Sequence, residues 1–356
     1  MSKVCMIVQD PLVKGGISSV INGYKGSKIE DDFNIIYVES YTDGNKFNKL
    51  WKAIKAYFCF FKVLLIDKPN IIHIHSSFGA SFYRKIPFIY MSKYAKKIIV
   101  NHIHGAEFDT FYINSSKFKK NIIKKVYNKC SIIITLSDEW KEYLSMIVPD
   151  EKIRVIENYS ILCEDALNER LNRKTNNQVL FLGQIGKRKG CYDIPLVIEE
   201  VIKKIPNVKF ILAGDGNIDD IKKILKEKRL MKYVEFPGWL RNSDKDCILR
   251  ESDIFFLPSY NEGMPMAILD AMGYGLPIVS TNVGGIPKLI HNGFNGFINE
   301  PGDIIGFADS ISYLLTCKNL KEISSNSYSC VFKQYSLEAH IEKLERLYKE
   351  CLNYRS

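Results

Sequence analysis

Short apolar runs alternate with helical patterns along the whole of this 356-residue chain, the rhythm of parallel strands joined by crossover helices. In the first half the runs predict strands at Val4–Val8, Asn34–Val38, Ile71–Ile74, Ile98–Asn101, Ile132–Leu136 and Ile153–Val155. In the second half they predict Val179–Leu182, Lys209–Ala213, Val234–Phe236, Ile254–Leu257 and Ile278–Ser280. Apolar runs of this kind suit strands covered on both faces. The polar stretch Asn168–Gln178 reads as a linker between the two series, giving domains at 1–170 and 171–336. A last helical pattern covers about Leu337–Tyr354. The expected fold class is α/β: two Rossmann-like doubly wound domains, with an interdomain cleft that takes ligand at the carboxyl ends of both sheets.

The stretch Asp253–Pro287 carries the most chemistry. A strand (Ile254–Leu257) leads to Glu262 and Gly263 at a turn, then to Pro265 at the first turn of a helix that ends before Gly275. Free backbone N–H groups at such a junction form an anion pocket. Glu262 and Asp270 flank it, and carboxylates accept hydrogen bonds from hydroxyl groups. A phosphate carrying sugars fits that combination better than a bare phosphate, which points to a nucleotide sugar. The plainer alternative is a surface acid after a buried strand plus an acid on a helix face.

A second phosphate-type loop, Leu182–Gly190 (LGQIGKRKG), follows the first strand of the second half. Lysine supplies a point charge there and glycine frees the backbone; solvated loop lysines are the alternative. Gly15–Gly16 opens a helix expected at Ile17–Gly26 after the first strand, where a simple tight turn is the competing reading. There is no G-x-G-x-x-G, and no acid stands where a dinucleotide ribose would need one. His73 and His75, and again His102 and His104 in NHIHGAEFD, share faces of extended chain. No acid or cysteine completes a ligand set, so metal is disfavoured. Asp244 and Asp246 form a D-x-D at a helix start, where acids are favoured anyway, and are not read as a metal site.

The segment Glu262–Asp270 resembles the E-x7-E motif of retaining glycosyltransferases of the GT-B fold, family 4, with aspartate in place of the second glutamate. The resemblance implies that Glu262 lies by the donor sugar and Asp270 binds the nucleotide ribose, reaching about one methylene less than glutamate. It places Gly15 and Gly16 against the donor phosphate and sugar, and His104, followed by Gly105, in the active site near the transferred sugar. Lys189–Gly190 fits the end of the family's G-R-x(n)-K-G pattern, in which the arginine and lysine bind the diphosphate. Gln184 occupies the arginine position, so Lys189, with Lys187 or Arg188, carries the charge. Gly216 (in AGDG) and Trp239 (in FPGW) match the family's strand ends, the latter where the base binds. Gly263, Met264 and Met266 offer amides to the phosphates, while Pro265 has none to give. The last helix is expected to pack back on the first domain, and no metal or other cofactor is expected.

Composition narrows the setting. Apolar content of 46% and charge of 25% describe a globular protein rather than a disordered one. Nine cysteines without C-x-x-C spacing fit reduced thiols in a cytosol. The run Ala56–Ile66, broken by Lys62, is too short to span a bilayer, and the start of the chain has no signal-peptide pattern. The net charge of +10 is uneven: 26 Lys+Arg against 18 Asp+Glu up to Arg173 gives +8, leaving +2 for the remainder. In Trp51–Lys68, Tyr83–Lys97 and Ser116–Lys129, lysines interleave with aromatic and aliphatic residues. One such helix is ordinarily a solvated face over a core stripe; several together favour an anionic membrane surface. No nucleic-acid motif is present. The expected protein is thus cytoplasmic, or peripheral on the inner face of the membrane. It would transfer a sugar from a nucleotide diphosphate, a UDP-sugar, to a lipid-linked saccharide in capsule, O-antigen or exopolysaccharide synthesis. A non-catalytic sugar-nucleotide-binding subunit and a nucleotide-sugar epimerase are the competing readings.

Overall fold

The computed structural model describes residues 2–105 and 108–353 and divides into two compact units, Met1–Asn158 with Leu337–Ser356, and Tyr159–Ser336. In the first unit, β1 (Lys3–Val8), β2 (Asn34–Glu39), β3 (Ile71–Ser76), β4 (Ile98–Ile103), β5 (Ile132–Thr135) and β6 (Ile153–Val155) form one sheet in the order β2-β1-β3-β4-β5-β6. Every pairing is parallel. The connections are α1 (Gly16–Tyr24), α2 (Lys28–Asp32), α3 (Lys46–Ile66), α4 (Ala80–Tyr94), α5 (Lys117–Tyr127) and α6 (Asp138–Ser145).

The two faces of this sheet differ in chemistry. One meets α3, α4, α5 and α6 in an apolar core that includes Phe60, Phe82, Phe88, Tyr127 and Trp140. The pleat sends β3 and β4 side chains alternately to the two sides. Ile72 and Ile74 therefore enter that core, while His73 and His75 face the other way, toward Tyr24 of α1. The last helix, Leu337–Asn353, closes that side: Tyr348 reaches His73, and His340 bonds both Tyr24 and the Glu157 carbonyl.

In the second unit, α7 (Glu164–Asn172) precedes β7 (Gln178–Leu182), α8 (Ile194–Lys204), β8 (Lys209–Ala213), α9 (Ile218–Glu227) and β9 (Val234–Gly238). Then come α10 (Asn242–Glu251), β10 (Ile254–Leu257), α11 (Met266–Gly273), β11 (Ile278–Thr281), β12 (Gly296–Asn299), α12 (Ile304–Thr316) and α13 (Leu320–Gln334), with Leu337–Asn353 as α14. The strand order is β12-β11-β10-β7-β8-β9, again all parallel. Strand order reverses between β7 and β10, and loops leaving the carboxyl ends of such a pair diverge to open a ligand site.

Two expectations change. The stretch Asn168–Gln178 is not a linker as far as Asn172, because α7 runs through it. Arg170 is buried and donates to the carbonyls of Tyr274, Ser252 and Leu249, which ties α7 to the second unit. The chain accordingly changes unit at Asn158–Tyr159 rather than at 170. The second unit also has a twelfth strand, β12, that the apolar pattern does not announce.

Candidate active site

The site is built where β7 and β10 end. After β7 the chain turns through Gly183–Gly186 into a short 3-10 turn, Lys187–Lys189, capped by Gly190 at φ +68°. A Cβ at Gly190 would stand 1.8 Å from the Pro258 carbonyl oxygen, so only glycine lets this loop close over the end of β10. The Tyr260 amide then donates to the Arg188 carbonyl at 2.8 Å. On its other side the loop is zipped to the end of β8, with Ile185 N donating to Asp215 O at 2.6 Å and Asn217 N to Ile185 O at 2.8 Å. Gly216 lies in that zipper.

This closure brings the two predicted motifs together. Lys189 Nζ is 2.5 Å from Glu262 Oε1 and Arg188 Nη1 is 3.5 Å from Oε2, while Ser259 Oγ donates to Oε1 at 2.7 Å. Glu262 is 6% exposed. Burial alone would raise its pKa; the Lys189 and Arg188 charges and the two hydrogen bonds outweigh burial and hold the carboxyl below its usual range. Gly284, at φ +55°, faces the Glu262 carbonyl so closely that a Cβ would be 2.0 Å away. Gly285 N donates to Gly263 O at 2.6 Å, so the Val283–Gly285 turn backs the acid loop.

α11 starts beside this acid. Pro265 is its N-cap residue at φ −72°, preceded by buried Met264 and followed by Met266 at the first helical position. Asp270 lies one turn further, 8% exposed, and accepts from Lys245 Nζ of α10 at 2.5 Å. Trp239 is half-buried after β9. Gln184 is exposed at the loop tip. Among the expected residues of this unit, Lys189 and Glu262 therefore touch, and Asp270 is engaged by a different cation. Ser259 and Lys245 were missed from the sequence. Ser259 has a weak signal in its S-x-x-E spacing to Glu262; Lys245 has none, because α10 reaches α11 only through the fold. Asp246 is held by Arg250 at 2.9 Å and by Tyr274 Oη at 2.7 Å, which accounts for one acid of the D-x-D.

In the first unit, Gly15 at φ +133° is the N-cap of α1. His104 follows β4 and is half-buried, with its Nε2 2.9 Å from His75 Nδ1. Ala106 and Glu107 of the NHIHGAEFD stretch lie outside the described residues. His75 pairs with His102 across β3 and β4, so four histidine rings form a ladder. Burial pushes the pKa of His73 and His104 down to about 3 and His340 to about 4, and His75 and His102 also fall well below the ordinary value. All are neutral imidazoles. Nitrogens of His73, His75 and His102 lie within 4.8 Å of one another. Two of the ring pairs are stacked, at 11° between His73 and His102 and 26° between His73 and His75, and the third, His75 with His102, is tilted by 37°. Tetrahedral sites draw on three or four converging ligands, and no acid or cysteine joins these three among the described residues.

The chemistry this geometry permits is recognition of a diphosphate by clustered cations and of a sugar by an ionised, oriented carboxylate. Comparison with known proteins agrees on the class. The family model Glycosyltransferase Family 4 matches residues 21–159, and Glycosyl transferases group 1 matches residues 164–329. The chain belongs to this family of glycosyltransferases, with the GT-B fold. It is 30% identical over 319 residues to the UDP-Gal:alpha-D-GlcNAc-diphosphoundecaprenol alpha-1,3-galactosyltransferase of Escherichia coli, covering 84% of this chain and 80% of that one. It is 27% identical to the 2-deoxystreptamine N-acetyl-D-glucosaminyltransferase of Niallia circulans, over 73% of this chain and 71% of that one. Among solved structures, sucrose-phosphate synthase from Thermosynechococcus elongatus superposes with a TM-score of 0.82 at 16% identity, covering 100% of both chains. No described helix is long and apolar enough to cross a membrane.

Proposed function

We propose that this glycosyltransferase is a retaining enzyme that moves a sugar from a UDP-sugar to a lipid-linked saccharide in surface-polysaccharide assembly of the capsule, O-antigen or exopolysaccharide kind. The observation that carries the reading is the contact of Lys189 with Glu262 beside the start of α11. The name of the Escherichia coli relative, which specifies a UDP-sugar and a diphosphoundecaprenol acceptor, supports the donor and acceptor classes.

The bond from the sugar's C1 to the diphosphate breaks and a bond from C1 to the acceptor oxygen forms on the same face. The acceptor's proton passes to a phosphate oxygen of the departing diphosphate. No protein nucleophile is needed, and no metal ion. The main electrostatic task is the charge gathering on the leaving group. Lys189, Arg188 and Lys187 supply cations to it, and the amides of Gly263, Met264 and Met266 supply dipoles. Gln184 adds a neutral donor where the family has arginine. Glu262 accepts from hydroxyls of the transferred sugar, Asp270 from the ribose, and Trp239 lies against the base. Gly15 and Gly16 leave room for phosphate and sugar, and neutral His104 donates to a sugar hydroxyl.

The deciding experiment incubates the purified protein with a panel of UDP-sugars, a lipid-linked saccharide and EDTA, and follows UDP release and the anomeric configuration of the product. Transfer with retention, abolished in Glu262→Ala, is expected. An inverted product refutes the retaining mechanism. Isomerised donor in the absence of acceptor identifies an epimerase. Donor binding without turnover identifies a non-catalytic subunit.

A further inference from the structure

Helix α3 is apolar on two opposite sides. Its inner row, Ala53, Ala56, Phe60, Val63 and Leu64, packs in the core of the first unit. Its outer row, Phe47, Leu50, Trp51, Phe58, Phe61 and Leu65, stands 52% to 74% exposed. Leu50 and Trp51 follow Phe47 by three and four residues, and Phe58, Phe61 and Leu65 repeat those steps; half-buried Ile54 fills the turn between Trp51 and Phe58. At 3.6 residues per turn this is one continuous stripe along a 21-residue helix, about 30 Å long. A water-facing helix normally reserves that side for polar residues. A contiguous aromatic stripe of this extent marks a surface that is covered when the protein works.

The charges around the stripe indicate the covering. α3 carries five lysines, α4 three cations and α5 five lysines, and none of the three helices contains an Asp or Glu. All three helices pack on the same side of the sheet. Lys85 of α4 is buried and Lys52 is held by Glu39, so those two are not free surface charge. Lys55 and Lys62 are exposed on one flank of the stripe, and Lys55 Nζ sits 5.4 Å over the Trp51 ring. The same layer exposes Tyr94 at the end of α4 and Phe118 in the first turn of α5. Phenylalanine and leucine in the middle, tryptophan and tyrosine beside them, and lysine at the margin match a bilayer interface in the order of its depth.

We propose that the α3–α4–α5 layer is a membrane-docking surface for bilayers of anionic phospholipid. α3 lies in the interface plane with its outer row among the acyl chains, and the lysines of α3 and α5 meet the headgroups. The surface rests on the proposed lipid-linked acceptor only for its use; the docking itself stands on exposure and charge. A protein partner would need a matching acidic and apolar groove, whereas an anionic bilayer supplies both features over any length.

The test uses the full chain with vesicles of phosphatidylcholine alone or mixed with phosphatidylglycerol. Flotation at low salt is expected with the mixed vesicles, with binding reduced about tenfold in 0.5 M salt and again in Lys55→Glu/Lys62→Glu. Phe58→Ser/Phe61→Ser changes only exposed side chains and is expected to lower binding at least tenfold without altering the unfolding midpoint. Trp51 fluorescence is expected to be quenched by brominated lipid, a signal lost in Trp51→Phe. Transfer to a short, water-soluble acceptor is assayed alongside, so docking and catalysis can fail separately. Absence of flotation with anionic vesicles overturns the proposal, as does equal flotation of Phe58→Ser/Phe61→Ser. A dimer that dissociates in that variant assigns the face to a second copy of the chain and also overturns it.

Discussion

Lys245 and Asp270 are 25 residues apart in the chain, yet Lys245 Nζ donates to Asp270 Oδ2 at 2.5 Å. The acid at the position assigned to ribose thus has a cation from the preceding helix holding its rotamer. If Asp270 accepts from the ribose as a carboxylate, Asp270→Asn raises the donor KM by about tenfold and leaves kcat nearly unchanged, because the loss is of uniform binding. Asp270→Glu restores the family's reach and is expected to lower KM. Steady-state kinetics with varied donor check both; an unchanged KM in Asp270→Asn removes this residue from donor binding.

Removing the cation beside Glu262 affects rate and pH together. Lys189→Met is expected to lower kcat by about two orders of magnitude, as loss of a charge-stabilising group does. It also leaves burial opposed mainly by Arg188, so the Glu262 pKa rises. A step that needs the carboxylate then fails at higher pH than in the wild type, moving the acid limb of the rate profile upward. A parallel drop at every pH, with no displacement, would show that Lys189 acts on the donor alone.

The histidine ladder makes the first unit acid-sensitive. Folded pKa values of about 3 for His73 and about 4 for His340 lie below the unfolded value of 6.5. On acidification the unfolded chain takes up protons first. Stability is full above pH 6.5 and declines as pH falls toward 4, by about 1.4 kcal/mol per pH unit for each such histidine. Urea unfolding between pH 7.5 and 4.5 measures this slope. His102→Leu removes two buried ring nitrogens without hydrogen-bond partners and is expected to flatten it.

Lys85 is a second buried titrating group. Its ammonium donates to Ser40 Oγ at 2.6 Å and to the Ile7 carbonyl at 3.3 Å, and burial, aided by Arg84, lowers its pKa from 10.5 to about 7. Between those values the unfolded chain holds the proton and the folded chain does not, so stability increases as pH rises through this window. Lys85→Met is expected to be about 1 kcal/mol more stable at pH 7. Its advantage over the wild type should shrink toward pH 10, and thermal melts at both pH values check it. A constant gap would place the effect in packing instead.

Most of the architecture was legible because it is periodic. Each of the eleven strands expected from apolar runs is present, since parallel strands covered on both faces are rich in aliphatic residues, even where histidines interrupt β3 and β4. β12 escaped because GFIN is short, lies at the sheet edge, follows Asn295 and itself begins with glycine and ends with Asn299. α7 was mistaken for a linker because its polar residues form the outer face of a helix anchored by one arginine. At the site, the glycines, lysines and acids were readable as chemistry. Their pairing was not: Lys189 meets Glu262 only because β7 lies beside β10, and Lys245 finds Asp270 only because α10 and α11 converge. The ladder was readable as alternating histidines, while their stacking depends on the β3–β4 register.

α14 gives the chain an unusual order of completion. α14 is made after the whole of Tyr159–Ser336, so the first unit is begun before the second and closed after it. Until then the side bearing Tyr24, His73 and His75 stays bare, while Tyr159–Ser336 already has everything it needs to close on itself. A product truncated before Leu337 would keep a whole second half and present an open, histidine-lined flank, a natural target for chaperones and proteases.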